Sequence, residues 1–263
     1  MDLKLKNKRS LVTGSTAGIG FSIAEALARE GASVIINGRS QQSVDAAIDK
    51  LRPSVSGKLT GFAGDLARDD VAEQLAREHP EVDILVNSLG IFEPVPFEQI
   101  PDEDWRRFFE VNVLSGVRLS RLYLPGMKQR NWGRILFISS ESGVQIPPEM
   151  IHYGMTKAAQ IAIARGLAES VAGTGITVNS ILPGPTRSRG VVEFVGRIAK
   201  ERGKTFNEFE AGFVEAMRPS SIIKRFATTE EVASLVAYIA SPLASATTGA
   251  ALRVDGGVIR SAY

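Results

Sequence analysis

Short apolar runs alternate along this chain with longer amphipathic stretches. The apolar runs are rich in β-branched residues, and they predict strands near residues 9–13, 32–37, 58–63, 82–86, 133–138, 175–181 and 251–254. The amphipathic stretches predict helices near residues 18–30, 41–51, 68–78, 102–130, 152–172 and 228–240. Parallel strands joined by crossover helices produce this alternation, so we expect an α/β fold with one doubly wound, seven-stranded parallel sheet flanked by helices.

The whole chain, residues 1–263, is predicted to form a single domain, because no internal repeat or long Pro/Gly/Ser-rich linker divides it. One segment, residues 187–226, breaks the alternation between the sixth strand and the last helix. An insertion at this point lies over the carboxyl ends of the strands, where open α/β sheets bind ligands. We therefore expect a substrate lid at about 187–226.

Composition and charge exclude several classes of protein. The 31 basic and 29 acidic side chains leave a net charge of +2, which is too balanced for a general nucleic-acid or membrane-binding surface. The chain has no cysteine and two histidines, so we expect no disulfide, no thiolate chemistry and no metal site. No apolar run approaches the roughly 20 residues of a spanning helix, and no secretory signal opens the chain. We expect a cytoplasmic protein.

A glycine-rich turn, TGSTAGIG, joins the first strand to the first helix. Glycine tolerates backbone angles that other residues resist, and the missing Cβ lets the backbone approach a pyrophosphate at the helix N-terminus. The residues expected to bind a dinucleotide here are Gly14, Ser15, Thr16, Gly18, Ile19 and Gly20. By itself such a turn is also compatible with a plain strand-to-helix connection.

The end of the second strand carries a possible cofactor determinant. A carboxylate at this place would hold the free 2′-hydroxyl of NAD, but the sequence reads Asn37, Gly38, Arg39, Ser40. A guanidinium can instead bind the 2′-phosphate of NADP through two hydrogen bonds. Arg39 therefore favours NADP(H) over NAD(H), which stays possible; the alternative is an exposed arginine without a ligand.

Tyr153 and Lys157 stand four residues apart in HYGMTKAAQ, within a predicted helix. Side chains at this spacing project from the same face, one turn apart. A phenol has a pKa of about 10, and an ammonium group a few ångströms away lowers it. The pair could therefore transfer protons near neutral pH, although the spacing alone also arises by chance.

Together these motifs resemble those of the short-chain dehydrogenase/reductase family, over essentially the whole chain. The matching features are TGSTAGIG (13–20), Asp65 after the third strand, NSLG (87–90), Asn112 in VNVLSG, Ser140 ending the fifth strand, the YxxxK pair, LPGPT (182–186) and VDGG (254–257). The resemblance implies a Rossmann fold, and in layout the chain is most similar to the β-ketoacyl carrier-protein reductases.

The resemblance also implies four catalytic residues: Asn112, Ser140, Tyr153 and Lys157. Tyr153 would give a proton to a carbonyl oxygen or take one from an alcohol. Ser140 would hydrogen-bond the same oxygen. Lys157 would lower the pKa of Tyr153 and, with it, contact the nicotinamide ribose, and Asn112 would hold a water that passes protons to solvent.

Further cofactor contacts follow from the resemblance alone. They are Asp65 and Leu66 at the adenine, Asn87 and Gly90 on the adenosine side, and Pro183, Gly184 and Thr186 at the nicotinamide amide and phosphates. The alternatives are that Asp65 caps the next helix and that Thr186 starts a lid helix.

Two positions depart from the family pattern. Ser88 and Leu89 replace an asparagine and an alanine, which shortens a side chain that stitches the sheet together and introduces a bulkier one. Ala17 stands before Gly18, where many NADP-preferring relatives carry a basic residue. The expectation of NADP therefore rests almost entirely on Arg39.

The expected function is hydride transfer between NADP(H) and a ketone or secondary alcohol. The alternatives are an NAD-linked sugar or polyol dehydrogenase and a dinucleotide-binding regulator without turnover. Residues 187–226 hold nine basic and five acidic side chains, so the lid could attract an anionic substrate, whereas Glu141 beside Ser140 would disfavour one. The apolar faces of residues 158–164 predict a homo-oligomer, a tetramer or a dimer.

Overall fold

The sheet is the centre of the computed structural model, which describes residues 2–188, 191–192 and 205–262, without the side chains of 206–209 and 211. The strands within these ranges are β1 (Arg9–Val12), β2 (Ser33–Gly38), β3 (Leu59–Ala63), β4 (Ile84–Asn87), β5 (Gly133–Ile138), β6 (Ile176–Pro183) and β7 (Ala251–Val254). All pair in parallel, in the order β3-β2-β1-β4-β5-β6-β7. This confirms the predicted seven-stranded, doubly wound sheet.

Helices flank the sheet on both faces. Those described are α1 (Gly18–Arg29), α2 (Gln41–Leu51), α3 (Asp69–Glu78), α4 (Asp102–Phe109), α5 (Ser115–Arg130), α6 (Ile151–Ser170), α7 (Phe206–Met217) and α8 (Thr229–Ile239). None of them combines the length and apolar character that a membrane span requires. Of the expected lid, residues 189–190 and 193–204 lie outside the described residues.

The helix predicted over 102–130 is confirmed as one continuous helical stretch, in which a π-helical segment, Glu110–Leu114, joins α4 to α5. The main-chain carbonyl of Asn112, inside that segment, accepts a hydrogen bond from the Gln160 side chain at 2.6 Å. Insertion of a side chain into the backbone ladder of a helix locally changes its winding. The hydrophobic period of the sequence carries no signal of this long-range contact.

Alternate side chains of each central strand pack into two different hydrophobic cores. Val12 and Val86 face the core beneath α1 and α8, whereas Leu11 and Leu85 face the core beneath α3 and α5. Strands covered on both faces read as continuous apolar runs, which explains the pattern in the sequence. With both faces covered, the strand ends are left to bind ligands.

Asn37, at the end of β2, fixes the glycine-rich turn to the sheet. Its Oδ1 accepts a hydrogen bond from the Gly14 amide at 3.1 Å. Its Nδ2 donates to the carbonyl oxygens of Phe62 at 3.3 Å and Gly64 at 3.1 Å. Asn37 is 1% exposed, so one buried side chain joins the ends of three neighbouring strands.

We expect Asn37→Ala to lower the free energy of unfolding by about 2–4 kcal/mol, because it leaves several buried backbone groups unpaired. Urea denaturation measures the change. Gln41→Ala is the matched control, since Gln41 is exposed and bonds only within its own helix to Asp45. A loss no larger in Asn37→Ala than in this control would contradict the expectation.

Candidate active site

The glycine-rich turn leaves an open binding surface at the start of α1. Gly14 and Gly18 adopt left-handed φ values of +61° and +59°. A Cβ on Gly20 would lie 2.5 Å from the carbonyl oxygen of Gly14. Ala17 at the N-cap provides no side-chain hydrogen bond, so the first amides of α1 are free to bind an anion. These features fit a dinucleotide pyrophosphate.

The other three predicted residues of the turn have different positions. The Ser15 hydroxyl is buried, donates to the Val12 carbonyl at 2.7 Å and accepts from the Asn37 amide at 2.9 Å. Thr16 lies against Gly38, where an added Cβ would come 2.5 Å from its methyl group. Ile19 lines a cavity of about 600 Å³. The side chain of Ser15 therefore supports the turn from within.

Arg39 directly follows β2 and is exposed. It makes neither a hydrogen bond nor an ion pair with another described residue. The neighbouring Ser40 caps α2 by accepting from the Ser43 amide at 3.3 Å. The guanidinium thus lies free at the strand end where an adenosine ribose is expected, and it fits a 2′-phosphate there.

Asp65 and Leu66 follow β3. The Asp65 carboxylate accepts from the Ala67 amide at 3.1 Å and closes a short turn. It does not cap α3, whose N-cap is Arg68. The Leu66 side chain is fully buried in the core, so only its backbone could contact an adenine.

The unusual NSLG segment is held by Thr13. The Thr13 hydroxyl accepts from the amides of Ser88 at 2.8 Å and Leu89 at 3.0 Å. Leu89 packs where a Cβ on Gly14 would lie 3.4 Å from its Cδ2, an ordinary contact. Asn87 is buried, and its Oδ1 has no hydrogen-bond partner among the described residues. Thr13 thereby links β1 to the end of β4 without the asparagine that the family usually has.

Gly90 lies close to two of the predicted catalytic side chains. A Cβ on Gly90 would come 3.4 Å from Lys157 Nζ and 3.7 Å from Asn112 Oδ1. The position is therefore next to the proton-transfer residues, and its small size leaves room for a cofactor above them.

The segment after β6 forms another wall of the cavity, which Pro183, Gly184 and Thr186 line. A Cβ on Gly184 would lie 2.5 Å from the Asp255 carbonyl oxygen, so the close packing requires glycine. The Thr186 hydroxyl donates to the Gly184 carbonyl at 2.8 Å, and Thr186 pairs with Ala227 in an isolated bridge. Thr186 therefore does not start a helix.

Ser140, Tyr153 and Lys157 come together at the carboxyl edge of the sheet. Ser140 follows β5, and Tyr153 and Lys157 lie on one face of α6, with Lys157 Nζ 5.5 Å from the centre of the Tyr153 ring. Lys157 Nζ donates to the Ile138 carbonyl at 2.9 Å and to Gln160 Oε1 at 3.2 Å. Ser140 and Tyr153 line the cavity.

Asn112 is buried beside this group and bonds with both ends of its amide. Its Oδ1 accepts from the Ile91 amide at 2.8 Å, and its Nδ2 donates to the Ile91 carbonyl and to Thr156 Oγ1, each at 3.0 Å. The side chain thus fastens the loop after β4 to α6. A role in holding a water stays a prediction.

Burial dominates the electrostatics of the Tyr153/Lys157 pair. It raises the pKa of Tyr153 well above the ordinary value, and the negative charge of Glu141 acts in the same direction. A hydrogen bond with Ser140 and the positive charge of Arg218 lower the pKa of Tyr153 by less. Burial also lowers the pKa of Lys157 to about 7. The pKa of Tyr153 is therefore not lowered as expected, because desolvation outweighs the Ser140 hydrogen bond and the charge of Arg218.

Sequence reasoning missed an ionic cluster beside Ser140, formed by the buried Glu141 and Arg218 and the partly exposed Glu149. Arg218 Nε bonds Glu141 Oε1 at 2.9 Å, and Arg218 Nη1 lies 3.3 Å from Glu149 Oε1. The other oxygen of Glu141 accepts from the Ser140 hydroxyl at 2.5 Å. Proximity to Ser140 was the only sequence signal for Glu141, and none linked it to Arg218.

The described arginines of the expected lid are paired. Arg187 bonds Glu210, Arg225 bonds Glu231 at 2.7 Å and Arg218 belongs to the ionic cluster. The other basic residues counted there are Lys224, which donates to the Pro219 carbonyl, and Arg189, Arg197, Lys200, Arg202 and Lys204, which lie outside the described residues. The described part of the lid therefore offers no unpaired arginine to attract an anionic substrate.

A cavity of about 600 Å³ opens above Tyr153 and Ser140. Its apolar walls come from the loop after β4, from α7 and from the segments beside it, through Phe92, Val191, Phe213, Met217 and Phe226. Its polar side carries Ser140, Tyr153 and the ionic cluster. A mostly apolar pocket with a few convergent polar groups is the usual form of a small-molecule site.

Comparison with known proteins identifies the family. The sequence profile described as enoyl-(acyl carrier protein) reductase matches residues 14–259. The uncharacterized oxidoreductase YvaG of Bacillus subtilis is 48% identical over the full length of both chains. The 3-oxoacyl-[acyl-carrier-protein] reductase FabG of Escherichia coli is 32% identical over 97% of this chain and 99% of its own.

Among solved structures, L-sorbose reductase from Gluconobacter frateurii, complexed with NADPH and L-sorbose, has a TM-score of 0.93 and 30% identity. The match covers 99% of this chain and 100% of the reductase chain. The chain belongs to the short-chain dehydrogenase/reductase family, and it is an oxidoreductase of that family. The family and fold expected from the motifs are thereby confirmed.

Replacing Lys157 should change how stability depends on pH. The folded-state pKa of about 7 lies below the ordinary lysine value, so the unfolded chain binds more protons between pH about 7 and 10 and the free energy of unfolding rises with pH across that window. Lys157→Met should remove this rise, on the order of a few kcal/mol. Denaturation at several pH values measures it.

Lys128→Met is the matched control, because Lys128 is exposed in the last turn of α5. The control should follow the wild-type curve. If the free energy of unfolding changed with pH in the same way for wild type and Lys157→Met between neutral and alkaline pH, the depressed pKa of Lys157 would be contradicted.

Proposed function

We propose that the protein transfers hydride between NADP(H) and a ketone or secondary alcohol, with Tyr153 as general acid and base. The observation that supports this proposal most is that Tyr153 and Ser140 line a cavity beside the uncapped start of α1, with the buried Lys157 next to the Tyr153 ring. A bound nicotinamide would supply or accept the hydride. The residues of the chain supply the proton and the placement of the reacting oxygen.

The proton would pass through Tyr153. Its raised pKa keeps the phenol protonated at neutral pH, so Tyr153 is ready to donate to a carbonyl oxygen during reduction. Ser140 would hydrogen-bond the same oxygen and hold it in place. In the structure the Ser140 hydroxyl donates its proton to Glu141. Substrate binding would turn this hydroxyl from Glu141 to the substrate oxygen.

Lys157 and Asn112 would support the transfer from beneath. Lys157 Nζ would reach the nicotinamide ribose hydroxyls across the space next to Gly90. Once Tyr153 has given its proton to the substrate oxygen, the ammonium form of Lys157 would also stabilise the phenolate that remains. Asn112 holds the loop that carries Gly90, through its two hydrogen bonds to Ile91, and would thereby keep that space open.

NADP(H) is the favoured cofactor because Arg39 is free at the end of β2. The contacts proposed for it are the start of α1, the Arg39 guanidinium, the Asp65–Leu66 turn, Asn87 and Gly90, and the wall formed by Pro183, Gly184 and Thr186. The NADPH complex of the similar L-sorbose reductase also supports this choice. NAD(H) is the alternative.

A sugar or polyol dehydrogenase is the second candidate function, supported by the likeness to L-sorbose reductase. Its expected NAD dependence is not supported by Arg39. A regulator without turnover is less well supported, because a sensor has no use for the four side chains gathered around Tyr153.

We also propose a lid and an assembly. Residues 187–226 would cover the substrate, since Phe213 and Met217 from this segment line the cavity. In α6, Ala162 is exposed and Ile161 and Ile163 are only half-buried in the single chain, which supports a homo-oligomer, a tetramer or a dimer, packed through this helix. The proposed location is the cytoplasm, where both cofactors would be available.

Arg39→Ala should weaken NADPH binding by about 10- to 100-fold and leave NADH binding nearly unchanged, because it removes a charge-assisted contact to the 2′-phosphate. Fluorescence titration of both cofactors measures the change. Arg52→Ala is the control, since Arg52 is exposed and pairs only with Asp49 at 3.6 Å. Equal loss of affinity for both cofactors would contradict a role in phosphate selection.

Tyr153→Phe should lower kcat for ketone reduction by about 10²- to 10⁴-fold, because the proton donor is lost. Dissociation constants for NADPH should stay within about twofold, since the ring remains in place. Absorbance at the nicotinamide band measures turnover over a panel of ketones and alcohols. Tyr238→Phe, at an exposed tyrosine outside the cavity, is the control. Turnover retained in Tyr153→Phe would contradict the proposed mechanism.

A further inference from the structure

The charges of the ionic cluster do not balance. Among the described residues that line the cavity, the charged side chains are Glu141, Glu149 and Arg218. One guanidinium is shared by two carboxylates, and the cluster carries a net charge of −1. The side chains of Glu141 and Arg218 are less than 10% exposed and that of Glu149 is 26% exposed, so water screens this charge only in part.

Hydrogen-bonding capacity remains within the cluster. A carboxylate has about four acceptor sites. The Glu141 carboxylate accepts hydrogen bonds from Arg218 Nε, from the Ser140 hydroxyl and from the Ser142 amide, the last at 2.9 Å. The second oxygen of Glu149 and the Nη2 group of Arg218 have no hydrogen bond to a described residue. A hydroxyl group can both donate to such an oxygen and accept from such a nitrogen.

The cluster also lies next to the reacting atoms. Glu141 directly contacts Ser140, whose hydroxyl would hold the substrate oxygen, and its charge reaches Tyr153 strongly enough to raise that pKa. A substituent one or two carbons from a bound carbonyl would therefore face Glu141 and Arg218. The opposite walls are apolar.

We propose that the Glu141–Arg218–Glu149 cluster selects neutral substrates with a hydroxyl group near the carbonyl, and rejects carboxylates at that place. This inference rests on the proposed ketone reduction and names its substrate class: a neutral hydroxyketone whose remaining chain lies against the apolar walls. A substrate carboxylate would meet an arginine that two glutamates already neutralise, together with an uncompensated negative charge. It would gain little attraction and suffer repulsion.

Three ketones of matched size test the proposal: 4-hydroxy-2-butanone, acetoacetate and 2-pentanone. They place a hydroxymethyl, a carboxylate and an ethyl end at the same distance from the carbonyl. With NADPH at neutral pH, kcat/KM for 4-hydroxy-2-butanone should exceed that for acetoacetate by about tenfold or more, and should also exceed that for 2-pentanone.

Two variants assign this discrimination to the cluster. Glu149→Gln and Glu141→Gln each remove one negative charge but keep an amide oxygen as acceptor. In both, the ratio of kcat/KM for 4-hydroxy-2-butanone to that for acetoacetate should fall at least about threefold. The ratio separates selectivity from general damage, which would lower both values together. Glu98→Gln, at an exposed glutamate outside the cavity, should leave the ratio unchanged.

Failure of the inference differs from failure of the proposed function. Reduction of acetoacetate as efficiently as the neutral ketones, or a ratio unchanged in both variants, would overturn the selection by charge while leaving ketone reduction intact. Reduction of none of the three ketones would overturn both.

Discussion

The parallel pairing of all strands is the constraint on which the site depends. Because every strand runs in the same direction, every carboxyl end lies at one edge of the sheet. The candidate site follows these ends in turn: Gly14 after β1, Arg39 after β2, Asp65 after β3, Asn87 at the end of β4, Ser140 after β5 and Gly184 after β6. Residues distant in sequence therefore meet without any long loop having to bring them together.

Burial is the second condition that shapes the chemistry. The Lys157 ammonium is buried, and its hydrogen bonds go to the Ile138 carbonyl and to Gln160 instead of to water. Burial lowers its pKa. Tyr153 loses water as well and keeps its proton. The cavity thus presents a protonated phenol, with a readily deprotonated amine buried next to its ring, an arrangement suited to proton donation at neutral pH. The same burial makes the imbalance of the ionic cluster effective against a charged ligand.

Sequence reasoning succeeded where the signal was local or followed from strand order. The sheet, the left-handed glycines of the glycine-rich turn and the shared face of Tyr153 and Lys157 were all predicted from period, residue type and spacing. It did not predict the π-helical segment within the 102–130 helix, where the Gln160 side chain, far along the chain, donates to the Asn112 carbonyl. The basic surplus of the lid was also a poor guide, because its described arginines are paired.

The amino-acid sequence by itself determined the class of fold and the family, and it supplied the candidate residues for binding a dinucleotide and a carbonyl oxygen. Backbone preferences and side-chain periodicity act over a few residues, and the order of strands extends them to the whole sheet. Only the tertiary structure decided that Arg218 lies against Glu141 and Glu149, that Thr13 holds the NSLG segment, and that the pKa of Tyr153 is raised. These properties depend on how deeply each group is buried and on which residues distant in sequence contact it. The spacing of residues along the chain predicts neither.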